Sequence, residues 1–160
     1  MKWVGAFLFL FCFQGLLFAQ QALETDFGYG EYRLESPDII FKNIRFKNRF
    51  QAKDWFTSEP VPPTGIKFSA FRLGFFKGQL HTIQIKTELE ANSRAMLKWL
   101  QNRYGDGQQE GYTPRFTWET ESVKLVYDEN VLTKDAEIRF VSKSIDALFK
   151  KEYDVSGEKE

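Results

Sequence analysis

Two β-rich runs, Ile66–Phe76 and Leu80–Lys86, stand either side of Lys77-Gly78, and no other stretch constrains the fold as tightly. Glycine reaches positive φ at no steric cost, so a turn this short joins the runs as a β-hairpin. The first arm is dense in Phe (Phe68, Phe71, Phe75, Phe76), which predicts a place in the middle of a sheet. The second alternates His81, Ile83 and Ile85 with Thr82, Gln84 and Lys86, the period of a half-buried strand, and puts His81 on the apolar side. A sheet face this apolar must be covered. Leu89, Met96, Leu97, Leu100 and Tyr104 recur at three- and four-residue steps and predict a covering helix over about 88–104, ended by Gly105.

The remaining elements follow from the same two periods. Residues 20–30 read as a mobile lead-in, and Glu31–Leu34 as a short strand closed by Ser36-Pro37-Asp38. Within Ile39–Phe50, Ile44, Phe46 and Phe50 alternate with Arg45, Lys47 and Arg49, as a half-buried strand requires. Pro60, Pro62 and Pro63 cannot pair inside a sheet and make a stiff surface connection. Strands are expected over about 115–119, 123–128 and 137–141, with residues 106–111 a polar loop. Ser142 or Ser144 can cap a last helix over about 144–153, in which Ile145, Leu148, Phe149 and Tyr153 share a face. The charged, small residues 154–160 read as a disordered tail. The expected fold class is α+β: one antiparallel sheet of about five to seven strands, with a main helix (about 88–104) and a short C-terminal helix (about 144–153) packed on it. Residues 20–153 make a single domain.

Residues 1–19 read as a signal peptide: Lys2 supplies a positive start, Trp3 to Phe18 is almost wholly apolar, and Ala19 offers a small residue at the cut. The apolar run is interrupted by Gln14 and Gly15 and falls short of the ~20 residues a bilayer span needs. Cys12, the sole cysteine, leaves with that segment, so the remaining chain must stand on its core without disulfides. Export without cysteine pairs fits a bacterial periplasm or cell exterior. The 22 basic and 22 acidic side chains balance, so no global field points to nucleic acid or a membrane surface.

The run Phe71, Phe75, Lys77-Gly78-Gln79-Leu80, Ile83, Ile85, followed by Leu97, Leu100, Tyr104-Gly105, Trp118, Leu125 and Tyr127, resembles small exported bacterial α+β domain proteins of unknown function. In those proteins a Phe-rich hairpin precedes a helix ending in Tyr-Gly, and a Trp-bearing hairpin follows. The resemblance covers about residues 66–142 and implies a periplasmic α+β domain. It carries no catalytic residues and no cofactor.

The chemistry of the side chains narrows the function further. His81 is the sole histidine, so any Ser-His-Asp arrangement must use it, and its strand position reads instead as a core-edge histidine held by a hydrogen bond. One His and no Cys beyond position 12 leave the common zinc sites without ligands. Glu119 and Glu121 lie two apart, as paired carboxylates of a small hydrolase would, or as two acids on a solvated strand end. Between Lys42 and Lys53 the cations Lys42, Arg45, Lys47, Arg49 and Lys53 occur with no acid among them. Strict alternation would set Arg45, Lys47 and Arg49 on one face, roughly 6.6–6.8 Å apart, a spacing suited to an anionic polymer. Cations on a strand also discourage edge-to-edge aggregation. Trp55, beside the proline connection, is the tryptophan most expected to be exposed.

These residues together predict an exported, non-enzymatic binding or accessory module of the bacterial envelope. Its expected site is Lys42, Arg45, Lys47, Arg49 and Trp55, and its expected partner a protein or an anionic envelope polymer rather than nucleic acid. No cofactor, metal site or membrane span is expected in the chain that follows the signal. An inhibitor or immunity-type protein blocking a secreted enzyme is the alternative, and a small hydrolase using Glu119, Glu121 or His81 the third.

Overall fold

Alternating apolar and polar side chains build one broad sheet that two helices cover from opposite sides. A computed structural model describes residues 21–157, with side chains described through Glu152; the expected signal peptide, 1–19, lies outside the described residues, as do 158–160 of the expected tail. The short pair β1 (Gly28–Tyr29) and β2 (Tyr32–Arg33) comes first, then β3 (Arg45–Phe50), β4 (Lys53–Thr57), β5 (Ala70–Phe76) and β6 (Gln79–Thr87). Helix α1 (Glu90–Tyr104) follows, then β7 (Gln108–Gln109), β8 (Arg115–Glu119), β9 (Val123–Glu129), β10 (Ala136–Ser142) and helix α2 (Lys143–Gly157). Residues 21–26 are also helical.

β1 and β2 pair with each other, and the other strands form an eight-stranded antiparallel sheet in the order β3-β4-β5-β6-β10-β9-β8-β7. The sheet therefore exceeds the expected five to seven strands. Its additional members are β4, which lies between β3 and β5, and β7, a two-residue edge inside the expected polar loop. Neither shows the alternation that reveals a strand in sequence. Gln108 and Gln109 are held by the hydrogen-bonding groups of β8 and bury nothing of their own.

On the inner face, Phe71, Ile85, Ile138 and Tyr127 lie in one cross-strand row, and Leu73, Ile83, Phe140 and Leu125 in the next. All are buried, and each contributes about 1.5–3 kcal/mol of transfer free energy. α1 covers these rows with Met96, Leu97, Leu100 and Tyr104. It ends as expected: Gly105 takes φ 79° and donates its N–H to the Gln101 carbonyl at 2.8 Å. Leu23, Tyr29 and Tyr32 enter the same core. Residues 20–30, expected as a mobile lead-in, are thus part of the packing from 21 onward, because their apolar side chains close the end of the core that α1 leaves open.

α2 begins at the end of β10, where Ser142 Oγ accepts the Ile145 N–H at 3.3 Å, and it covers the end of the outer face that carries Lys53, Phe76 and His81. It is as long as α1, 15 residues each, and its backbone remains helical to Gly157, past the expected end at 153. Phe149 packs edge-on against Phe76, centroids 5.4 Å apart, and 5.8 Å from the His81 ring. His81 was expected beside Ile83 and Ile85. Between the Gly74–Thr82 and Phe75–Leu80 pairs the register shifts, leaving His81 as an extra residue on β6. That bulge turns the imidazole to the outer face, beneath α2. It is buried there, and neither ring nitrogen makes a hydrogen bond among the described residues, so the expected hydrogen-bonded core-edge histidine is not what is found.

Candidate binding face

The edge strand β3 carries most of the cations singled out in sequence, and its pairing with β4 separates them. Arg45 lies opposite Thr57 and Arg49 opposite Asp54, with a register shift between Phe46 and Asn48 that leaves Lys47 at the slip. Thr57 and Asp54 are three residues apart on a regular strand and face opposite ways, and so do Arg45 and Arg49. The expected single face of Arg45, Lys47 and Arg49 is therefore broken by one bulge. Arg49 turns toward the core-side rim and grips Asp54 bidentately, Nε to Oδ1 at 2.7 Å and Nη2 to Oδ2 at 2.8 Å. That hydrogen-bonded pairing raises the Arg49 pKa and lowers that of Asp54. Arg49 is thereby spent, compensated from the next strand by the acid that directly follows the basic run.

Arg45 instead opens a row that crosses the whole outer face. Successive cross-strand partners run Arg45, Thr57, Arg72, Gln84, Arg139, Val126, Thr117 and Gln108, one from each strand from β3 to β7. Arginines occupy alternate strands, so they recur about every 9.4–9.8 Å. Uncharged Thr57 and Gln84 stand between them, and no acid shares the row. Among the described residues the guanidinium groups of Arg45 and Arg72 have neither an ion pair nor a hydrogen bond, and the side chains of Thr57 and Gln84 have no hydrogen bond. Arg139 Nε lies 3.4 Å from Glu137 Oε1 in the neighbouring row, without the alignment of a hydrogen bond, and is buried and unsatisfied.

Trp55 sits in the adjacent row, opposite Gly74 on β5. Its benzo ring lies flat on that glycine: a Cβ at Gly74 would meet Cη2 at 3.0 Å and Cζ3 at 3.1 Å. The ring is half-buried, rather than exposed as expected. Lys42 stands just before β3, and together with Arg45, Thr57 and Glu59 it lines a groove of about 470 Å³ at the row's open end. Lys53 projects from β4 on the same face, with its Nζ 4.1 Å from the centroid of the Phe149 ring. Burial lowers its pKa, against the opposing charge of Asp146.

No protein-family model, curated protein or solved structure matches this chain. The site therefore rests on geometry alone. Of the residues singled out in sequence, Arg45 and Trp55 come together on the outer face and Lys42 adjoins them. Lys47 stands at the slip and Arg49 on the other side. Arg72, Gln84 and Arg139 were missed. Their signal was present as the outward position of three alternating strands, but only the register shows that they share a row.

Glu119 and His81 both meet α2. Glu119 pairs with Lys143 of α2 at 2.9 Å, and that hydrogen bond lowers its pKa. Asp146 Oδ1 lies 3.3 Å from His81 Nε2 and its other oxygen 2.7 Å from Lys150. Trp118 is buried and donates its indole N–H to the Gly105 carbonyl at 2.8 Å. Among the described residues no helix is long and apolar enough to cross a membrane.

Proposed function

We propose that this chain is an exported, non-enzymatic binding module of the bacterial cell envelope whose outer sheet face holds an anionic polymer. The observation that carries this reading is the row Arg45, Arg72, Arg139, which aligns three cations at even spacing with no acid in line. The guanidinium groups of Arg45 and Arg72, unpaired among the described residues, present several donors in fixed planar geometry, suited to carboxylate or phosphate. A reading without catalysis is supported by His81, closed beneath α2, and by Glu119, held by Lys143. The expected export signal in residues 1–19 supports an envelope setting.

Retention of the purified protein on immobilised polygalacturonate and on immobilised poly-L-glutamate tests it. The native protein binds at low ionic strength and is released by salt, because exposed charges are screened. Arg45→Glu/Arg72→Glu/Arg139→Glu passes through both columns. Lys67→Glu/Lys98→Glu, with charge reversed away from this face, is retained. A native protein that passes through both, or a triple variant that is held as tightly, overturns the reading.

A further inference from the structure

Resting on that reading, we infer that the polymer is a linear acidic polysaccharide in which a uronate alternates with an uncharged sugar, lying across the strands from β3 to β10. The row alternates cation, hydroxyl, cation, amide, cation in Arg45, Thr57, Arg72, Gln84 and Arg139. Successive positions are one interstrand step apart, about 4.7–4.9 Å, comparable to the advance of one pyranose ring along a β-linked chain. One ring then stands over each strand. Carboxylates fall on the arginines, and the hydroxyl or amide substituents of the intervening rings fall on Thr57 and Gln84.

The chemistry of the partly used donors fits this alternation better than a uniformly charged chain. A polymer with a charge on every unit would set carboxylates on Thr57 and Gln84, which offer no compensating charge. A polyphosphate, more densely charged still, would leave most of its groups unmatched. Trp55 adds what a peptide ligand would not need. Its ring is pressed flat on Gly74 in the neighbouring row, two residues from Thr57 on the same strand, and it presents a rigid apolar surface to the C–H face of a sugar. Beyond Arg139 the row continues through Val126, buried, Thr117 and Gln108, none of them charged, so its charged part spans four interstrand steps and accommodates five rings.

Titration calorimetry at one fixed ionic strength tests the inference with hyaluronan oligosaccharides, in which glucuronate alternates with N-acetylglucosamine. Oligogalacturonate of equal length and poly-L-glutamate are the competitors. Hyaluronan is expected to bind about tenfold more tightly than oligogalacturonate, with affinity rising up to five or six rings and then levelling. Arg72→Gln lowers the affinity about tenfold, the loss expected of one charged hydrogen-bonding group. Thr57→Val/Gln84→Met and Trp55→Leu weaken hyaluronan binding and leave retention on poly-L-glutamate unchanged. This split separates recognition of the sugar from a general loss of structure. Equal affinity for the two glycans, tighter binding of poly-L-glutamate, or indifference to Trp55→Leu overturns the alternating glycan and leaves the general anion-binding reading standing. Failure of every polyanion to bind overturns both.

Discussion

His81 on β6 and Asp146 on α2 approach within 3.3 Å, Nε2 to Oδ1, and this contact lies at the centre of the docking between the C-terminal helix and the sheet. The imidazole is 1% exposed. Burial pushes its pKa down to about 4, and the cation of Lys53 on β4 pushes the same way, while Asp146 opposes and Lys150 on α2 adds to the depression. For Asp146, burial is outweighed by Lys150 and His81, so its carboxylate stays below the ordinary range.

A pH dependence follows from that geometry. The unfolded imidazole, with its ordinary pKa near 6.5, takes up a proton before the buried one does at about 4. His81 therefore contributes full stability above about pH 6.5, and the contribution is lost as pH falls toward 4. The ceiling is roughly 3 kcal/mol, from 1.36 kcal/mol per pKa unit. Urea unfolding at about pH 7 and about pH 4.5 is expected to show most of this loss in the native protein and little of it in His81→Phe. An equal loss in both would refute the role of His81.

Gly107 has no room for a side chain. It takes φ 68°, and a Cβ there would lie 2.5 Å from Cε2 and 2.8 Å from Cζ2 of Trp118. Gly107→Ala combines a strained backbone with displacement of a buried indole that also bonds the Gly105 carbonyl, and is expected to cost about 3 kcal/mol or more. Thermal unfolding reports the loss, and Trp118 fluorescence shifts to the red. A native-like melting temperature would contradict the packing.

The turn joining β3 to β4 is made by Gln51 and Ala52, both left-handed, with φ 49° and 55°. Two-residue turns of this type favour Asn-Gly, because other residues pay for positive φ. The Lys77-Gly78 turn meets half of that requirement with φ 52° and 76°. Ala52→Gly is expected to raise stability by about 1 kcal/mol. Unchanged or lower stability in urea would show that the turn carries no such strain.

Phe140 stands at the centre of the inner face, fully buried, with the rings of Tyr29 and Tyr104 at 6.2 and 6.4 Å. Phe140→Ala is expected to cost about 3–5 kcal/mol, as cavities left by core aromatics do. A loss under about 1 kcal/mol in urea unfolding would show that the core closes around the gap.

Arg45 and Arg49 offer a test within one strand. Charge reversal at Arg45 is expected to weaken retention on polygalacturonate, and reversal at Arg49 to leave it unchanged, since Arg49 faces away and is already paired with Asp54. Equal effects would mean that the strand acts as an undirected basic patch.

Elements whose signal is local were legible in the residues themselves. The hairpin around Lys77-Gly78, the helix ending at Tyr104 with Gly105 beyond it, and the cap from Ser142 all depend on neighbours within a few positions. β4 and β7 were not legible, because a short strand held by its partner's backbone needs no pattern of its own. The candidate site was half legible. Arg45 was singled out from the basic run and Trp55 from its place beside the proline connection, but Arg72 and Arg139 lie in strands whose dominant signal is apolar.

The sequence by itself determined which side chains are apolar, at what period they recur and where the chain can turn, and hence an α+β fold around one sheet. Tertiary structure alone decided the faces. One extra residue at Lys47 sends Arg49 away from Arg45, and one at His81 sends the imidazole from the core side to α2. Side chains alternate along a strand, so a slip of one residue reverses every position beyond it. Such slips arise from hydrogen bonding between strands, and the arginine row exists because four consecutive strands and β10, distant in sequence, settle into a single register.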